Sequence, residues 1–210
     1  IGATALLFVF HLWVSHRVIW PSVVFDESGY LGNARWLAGN SNWRMPRSPS
    51  YAAGYSLLLM PIMRVFGSPE AQWQAVHVLN AGLLASVFPL LVTIQRRILL
   101  VRYELALASS AAGALTPGIV AVGISAIAEN VVLPLVLLPV LSAWWMTASG
   151  RTHIRITAYL FGPVVAMLVF SHPRFTVVAP IVVLLVMVGA ARQIITTSTA
   201  AANVIALTVL

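Results

Sequence analysis

The sequence contains no cysteine and no lysine, and only five of its 210 residues are acidic. The absence of cysteine excludes disulfide bonds and thiolate metal sites. Charged residues make up 8% of the chain, whereas a soluble domain carries about 25%. With 60% hydrophobic residues and a mean hydropathy of +0.94, the chain has too little polar surface to cover a core exposed to water. The composition therefore predicts an integral membrane protein.

The long apolar runs are continuous and close to the ~20 residues that a membrane helix needs, which favours helices over the short alternating strands of a barrel. We predict an all-α, polytopic transmembrane bundle of about seven spans. The chain starts and stops inside apolar runs, so we expect the module formed by residues 1–210 to be incomplete at both ends. The predicted spans are residues 1–20, 72–94, 105–122, 129–146, 156–170, 175–191 and 194–210.

Short polar motifs indicate where two predicted helices begin. Ser68, Pro69 and Glu70 are typical of a helix start, with an N-cap, a proline at the first position and an acid in the first turn. Glu129, preceded by a glycine and a serine, indicates a turn between the third and fourth spans, because a carboxylate at mid-membrane is costly.

Arginine counts in the short loops give the chain an orientation. Six arginines lie on one side and a single one, Arg174, lies on the other, and the positive-inside rule assigns the richer side to the cytoplasm. Residues 21–71 then form a long loop on the extracytoplasmic face. The six are Arg96, Arg97, Arg102, Arg151, Arg155 and Arg192.

The long loop carries its own pattern of local structure. Residues 27–38 have the spacing of a short amphipathic helix, and a proline-rich irregular stretch follows at 40–49. Residues 54–66 are apolar but too short to span, so we predict a helix that lies in the membrane interface.

Polar groups that are distant in sequence are predicted to meet at the outer face. Asp26 and Glu27 are typical of the start of a helix. They fit equally well a carboxylate that acts as a general base toward an acceptor hydroxyl. Glu129 fits either a helix-dipole partner or a ligand contact. His172 and Arg174 fit either a turn with a snorkelling arginine or an anion site. Arg44 and Arg47 fit such an anion site or contact with anionic lipid headgroups.

Together these features resemble the GT-C glycosyltransferases, polytopic enzymes that use sugars linked to lipid phosphates. Four segments carry the resemblance in the family's order, and the protein-O-mannosyltransferase, aminoarabinose-transferase and bacterial arabinosyl- or mannosyltransferase branches are the most similar. The segments are Phe25-Asp26-Glu27-Ser28-Gly29-Tyr30, Tyr51-Ala52-Ala53-Gly54-Tyr55, Ser125-Ala126-Ile127-Ala128-Glu129 and His172-Pro173-Arg174.

The resemblance implies transfer of a hexose or pentose from a polyprenyl-phosphate donor to a hydroxyl of a glycan, lipid or protein, at the outer face of a bacterial plasma membrane. Asp26 would take the acceptor proton, and Glu27 would support it. The remaining predicted site residues would bind the donor or other substrate: Tyr30, Arg44, Arg47, Tyr55, Glu129, His172 and Arg174. No metal ligands are predicted, and a divalent ion stays compatible with the family.

Two other functions fit the sequence. A transporter or flippase for a lipid or small solute would need ionisable or broken-helix features near mid-membrane. A non-catalytic assembly subunit would keep the fold without needing Asp26. Nucleic acid is not an expected partner, since no basic run with interleaved aromatics stands apart from a span. Phosphate-binding loops and HExxH motifs are absent as well.

Overall fold

The computed structural model describes residues 1–21, 25–40, 51–148 and 151–177. Within these ranges every regular element is helical, which confirms the prediction of an all-α fold. The chain divides into two compact units, Ile1–Pro134 and Leu135–Leu210.

The described residues of the first unit form six helices and the start of a seventh. They are α1 (Gly2–Ser15), α2 (Phe25–Leu37), α3 (Ala53–Val65), α4 (Pro69–Arg97), α5 (Tyr103–Ala114), α6 (Pro117–Gly123) and α7 (Glu129–Ala148), and the unit boundary falls inside α7. The second unit contains α8 (Arg151–Ser171) and a 3₁₀ turn, Pro173–Val177.

Helix α4 is the centre of the first unit, since α1, α3, α5 and α6 all pack against it. Leu7, Ala85, Phe88 and Ala114 form a buried apolar cluster where α1, α4 and α5 meet. The alanines let helix backbones approach closely, and the larger side chains fill the space between them. Helices α2 and α3 pack on each other as a pair.

The two helices predicted in the long loop are present. Helix α2 overlaps the predicted segment 27–38, and α3 overlaps 54–66. Helix α2 ends at Leu37, and Gly39 just beyond it has a φ of 93°, the left-handed conformation that glycine adopts without steric cost. The irregular stretch predicted at 40–49 lies almost wholly outside the described residues.

Local end signals are also confirmed. The Ser68 side chain accepts a hydrogen bond of 3.2 Å from the backbone N–H of Ala71, with Pro69 at the first helical position and Glu70 in the first turn. The turn predicted before Glu129 separates α6 from α7.

Two predicted spans differ from the helices of the structure. Helix α1 stops at Ser15 rather than at residue 20, because the chain turns away where Trp73 donates a hydrogen bond of 2.9 Å to the Val18 carbonyl. The segment predicted as one span at 105–122 is two helices, α5 and α6, bent by 52°. Pro117 opens α6 and disfavours helical geometry in the residue before it, which explains the break.

Among the described residues, α4 is the one helix that is by itself long and apolar enough to cross a membrane, and the bent pair α5–α6 is so as well if it is counted as one span. The apolar parts of the other described helices are shorter. The segments at 175–191 and 194–210 lie mostly or wholly outside the described residues. The count of about seven spans therefore stays a prediction.

Candidate functional site

Asp26 and Glu27 are neighbours in the first turn of α2, yet they face different surroundings. The Asp26 side chain is exposed, whereas Glu27 is fully buried. Successive residues of a helix point about 100° apart, so one faces solvent while the next enters the bundle. The Oε1 atom of Glu27 accepts a hydrogen bond of 2.7 Å from the backbone N–H of Ala126. The buried carboxylate thus ties α2 to the segment between α6 and α7.

A network of buried amides and a phenol connects three elements beside this contact. The Tyr55 hydroxyl donates a hydrogen bond of 2.7 Å to Oδ1 of Asn80. The Asn80 amide in turn donates to the Ser125 carbonyl at 3.0 Å, and the Asn130 amide donates to the same carbonyl at 2.8 Å. All three side chains have no exposed surface. A buried network of this kind fixes the relative positions of α3, α4 and the start of α7.

Burial raises the pKa of the Tyr55 hydroxyl, and the nearby carboxylate of Glu27 acts in the same direction. The phenol is therefore a neutral hydrogen-bond donor at physiological pH. A neutral donor satisfies Asn80 without placing a second negative charge near Glu27.

Three tyrosine rings link the exposed carboxylate to this network. The Tyr51 and Tyr30 rings pack edge to face at 5.6 Å, and the Tyr30 and Tyr55 rings pack in the same way at 5.7 Å. The Tyr51 hydroxyl donates a hydrogen bond to the Asp26 carboxylate. Partial burial, followed by the charge and hydrogen bond of Asp26, raises the pKa of Tyr51. Asp26 is thus held beside a neutral phenol.

Gly29 lets Tyr51 approach α2. A Cβ atom added at Gly29 would lie 2.7 Å from three atoms of the Tyr51 ring, far inside van der Waals contact. Any larger residue would displace the ring that reaches Asp26.

Hydrogen bonds of Arg35 and Gln72 hold the C-terminal ends of α2 and α3. The Arg35 guanidinium donates a hydrogen bond of 3.3 Å to Oε1 of Gln72, and the Gln72 amide donates to the Phe66 carbonyl at 2.8 Å. Burial lowers the pKa of Arg35 from its ordinary value, which leaves the side chain a cation at neutral pH. These bonds join α2 to the turn between α3 and α4.

The remaining predicted site residues are distributed over both units. Glu129 is half-buried in the first turn of α7, next to Asn130 of the polar network. His172 and Arg174 lie in the second unit, where the Arg174 backbone N–H donates to Nδ1 of His172 at 3.3 Å. The Arg174 side chain is exposed. Their predicted meeting with the first-unit residues stays a prediction.

Two predicted residues, Arg44 and Arg47, lie outside the described residues. Within the described ranges, no three His, Asp or Glu side chains are grouped so that they could hold a metal ion.

The surroundings of Asp26 and Glu27 include three residues that the sequence analysis did not name as site residues, namely Asn80, Asn130 and Tyr51. Asn80 left the clearest signal, because an amide inside an otherwise apolar helix must find a partner there. Asn130 was not predicted because the charged neighbour, Glu129, was chosen as the site residue of this turn. Nothing in the sequence pairs Tyr51 with Asp26, since the contact depends on how α2 meets the entry of α3.

No protein-family model, no curated protein and no solved structure matches this chain.

Proposed function

We propose that this chain is the membrane module of a glycosyltransferase that moves a sugar from a polyprenyl-phosphate donor to an acceptor hydroxyl. The reaction takes place at the extracytoplasmic face of a bacterial plasma membrane, and the module crosses that membrane several times. The acceptor is a glycan, a lipid or a protein. The proposal is supported by the sequence resemblance and by the surroundings of Asp26.

The contrast between Asp26 and Glu27 carries the proposal. A general base needs an exposed carboxylate in a fixed position. Asp26 is exposed, and the buried bond from Glu27 to Ala126 holds the turn of α2 on which it stands. The Tyr51 hydroxyl holds the carboxylate itself. An exposed acid on a flexible loop would have neither support.

The proposed chemistry is a single displacement. The Asp26 carboxylate takes the proton of the acceptor hydroxyl as the acceptor oxygen forms a bond to the anomeric carbon. The bond from that carbon to the phosphate oxygen breaks, and its electron pair leaves with the polyprenyl phosphate.

Positive groups near the leaving phosphate stabilise the charge that grows there in the transition state. Within the proposal this role belongs to Arg44, Arg47, His172 and Arg174. Glu129 binds sugar hydroxyls or orients one of these arginines.

Transfer by the full-length protein tests the proposal. Purified protein is supplied with radiolabelled polyprenyl-phosphate sugars and an acceptor extract, and Asp26→Asn is compared with the wild type. Loss of the base should reduce transfer about 100-fold or more. Glu104→Gln is the matched control, because Glu104 is also an exposed acid in the first turn of a helix, and it should transfer normally. No transfer by the wild type from any donor would reject the enzyme, and normal transfer by Asp26→Asn would remove Asp26 from the base role.

Single-cysteine labelling tests the proposed orientation, since the sequence contains no other cysteine. Ser28→Cys and Leu99→Cys place thiols at exposed positions of α2 and of the turn after α4. An impermeant maleimide added to intact cells should label Ser28→Cys and leave Leu99→Cys unlabelled. The reverse result would place α2 on the cytoplasmic side.

A transporter is the second candidate, and the bend between α5 and α6 favours it. Broken helices line the substrate sites of many carriers. Helix α1 also buries His11, and α4 buries His77. Uptake or lipid-flip assays in vesicles separate the two functions, because a carrier moves its solute without breaking a glycosidic bond.

A further inference from the structure

A groove with a volume of about 650 Å³ runs between α1 and α4 in the first unit. Ligand pockets are commonly about 300–1,000 Å³, so the groove has the size of a binding site. Most of its lining is apolar, with Val9, Leu12 and Val78 among the residues that form the walls. None of the predicted site residues lines it.

The lining of the groove includes the backbone around Val18, which is held by two side chains of α4. The Val18 carbonyl accepts a hydrogen bond of 2.9 Å from the Trp73 indole and lies 3.3 Å from Nε2 of His77. Both rings are almost fully buried. The position of this part of the lining is therefore fixed by buried side chains before any ligand binds.

Charges of both signs stand at the groove. The Glu70 carboxylate is part of its lining and is exposed. The Arg17 guanidinium lies 5.5 Å from the centroid of the Trp13 ring, and that ring is also part of the lining. The Glu70 carboxylate therefore attracts a positively charged group into the groove, and the Arg17 guanidinium attracts a negatively charged group beside it.

We propose that the groove binds a membrane phospholipid whose zwitterionic headgroup carries a primary ammonium, such as phosphatidylethanolamine. An acyl chain lies along Val9, Leu12 and Val78. The ammonium pairs with Glu70, and the phosphate pairs with Arg17. An anionic headgroup without an ammonium lacks the first of these pairs. The site is separate from the proposed transfer reaction and does not depend on it.

Native mass spectrometry of the full-length protein in detergent tests the headgroup. The protein is titrated with phosphatidylethanolamine and with phosphatidylglycerol of the same acyl chains. The wild type should bind the ethanolamine lipid more tightly. Glu70→Gln should weaken that binding about threefold to fivefold, the range of a partly exposed ion pair, and should leave the glycerol lipid unaffected.

Glu104→Gln is the matched control, since Glu104 has the same place in the first turn of α5 but does not line the groove. It should bind both lipids as the wild type does. Equal binding of the two lipids by the wild type would overturn the headgroup assignment. An equal loss in Glu70→Gln and Glu104→Gln would show a general charge effect and would overturn it as well.

A blocking substitution tests the location. Val78 is 48% exposed and lines the groove, so Val78→Trp fills part of it without disturbing the core. Binding of the ethanolamine lipid should fall at least threefold. Leu105→Trp adds the same bulk at a side chain of α5 that is 60% exposed, and it should have no effect. Wild-type binding by a folded Val78→Trp variant would overturn the site.

Discussion

The carboxylate of Glu27 and the backbone N–H of Ala126 form a 2.7 Å hydrogen bond across 99 residues of sequence. Glu27 is fully buried at this contact. The first helix of the long loop is therefore fixed to the interior of the first unit by a polar bond. Its exposed neighbour, Asp26, takes its position from that bond.

Removal of the Glu27 side chain should destabilise the fold. Glu27→Ala leaves the buried N–H of Ala126 without its acceptor, and losing a hydrogen bond to a charged group costs about 1.5–3 kcal/mol. Glu27→Gln keeps an acceptor oxygen at the same place and should lose less. The midpoint of thermal unfolding in detergent, followed by circular dichroism, should be highest for the wild type, lower for Glu27→Gln and lowest for Glu27→Ala.

The matched control for this prediction is Asp26→Ala, because Asp26 is adjacent in sequence but exposed. It should change the midpoint far less than Glu27→Ala does. A midpoint for Glu27→Ala equal to that of Asp26→Ala would mean that the buried bond contributes no stability.

Tyr55 and Asn80 should be energetically coupled, because their side chains share a buried hydrogen bond of 2.7 Å. Tyr55→Phe removes the donor, and Asn80→Ala removes the acceptor. The double variant should be less destabilised than the sum of the single variants by about 1 kcal/mol. Denaturant unfolding of the four proteins measures this cycle, and strictly additive losses would contradict the network.

Two glycine substitutions should change stability in opposite directions. Gly29→Ala places a methyl group 2.7 Å from the Tyr51 ring and should cost about 1–3 kcal/mol. Gly82, inside α4, has no atom within 4 Å of an added Cβ, so Gly82→Ala should stabilise the helix by about 0.5–1 kcal/mol. Equal shifts of the thermal midpoint in the two variants would contradict the contact between Gly29 and Tyr51.

Raising the pH into the alkaline range should show how the Tyr55 hydroxyl affects the stability of the fold. Burial raises its pKa in the folded protein, whereas a tyrosine in the unfolded chain ionises near pH ~10. Above that pH the unfolded chain holds fewer protons than the folded protein, so stability falls as the pH rises. The thermal midpoint should decline less steeply from about pH 9 to 11 in Tyr55→Phe than in the wild type.

Tyr103→Phe is the control for the alkaline prediction, since Tyr103 is 54% exposed. It should keep the wild-type slope. If Tyr55→Phe keeps that slope too, the phenol of Tyr55 is not protected from ionisation in the folded protein.

Features with a local cause could be predicted from the sequence. The helices of the long loop follow from apolar spacing, and the start of α4 follows from Ser68 and Pro69, which act within one turn. The bend at Pro117 lies inside a segment predicted as one span, because hydropathy is continuous across it, although a proline at this position can break a helix. The end of α1 depends on donors from Trp73 and His77 in another helix, and no local pattern shows them.

In the candidate site, too, features with a local cause could be predicted and features that depend on tertiary packing could not. The position of Asp26 and Glu27 at a helix start could be predicted from their place in the chain. That one is exposed and the other buried depends on the segment around Ala126, which α2 reaches only in the folded unit. The link from Tyr51 to Asp26 likewise requires the packing of α2 on the chain that enters α3.

The span of sequence between Glu27 and Ala126 also has a consequence for biosynthesis. A ribosome adds about 5–20 residues per second, so the partner of Glu27 emerges roughly 5–20 s after Glu27 itself. During that interval the hydrogen bond between Glu27 and Ala126 cannot form. The attachment of α2 to this segment therefore comes late, after α4, α5 and α6 have been made. A chain truncated before Ala126 would carry Asp26 on a helix that lacks this bond.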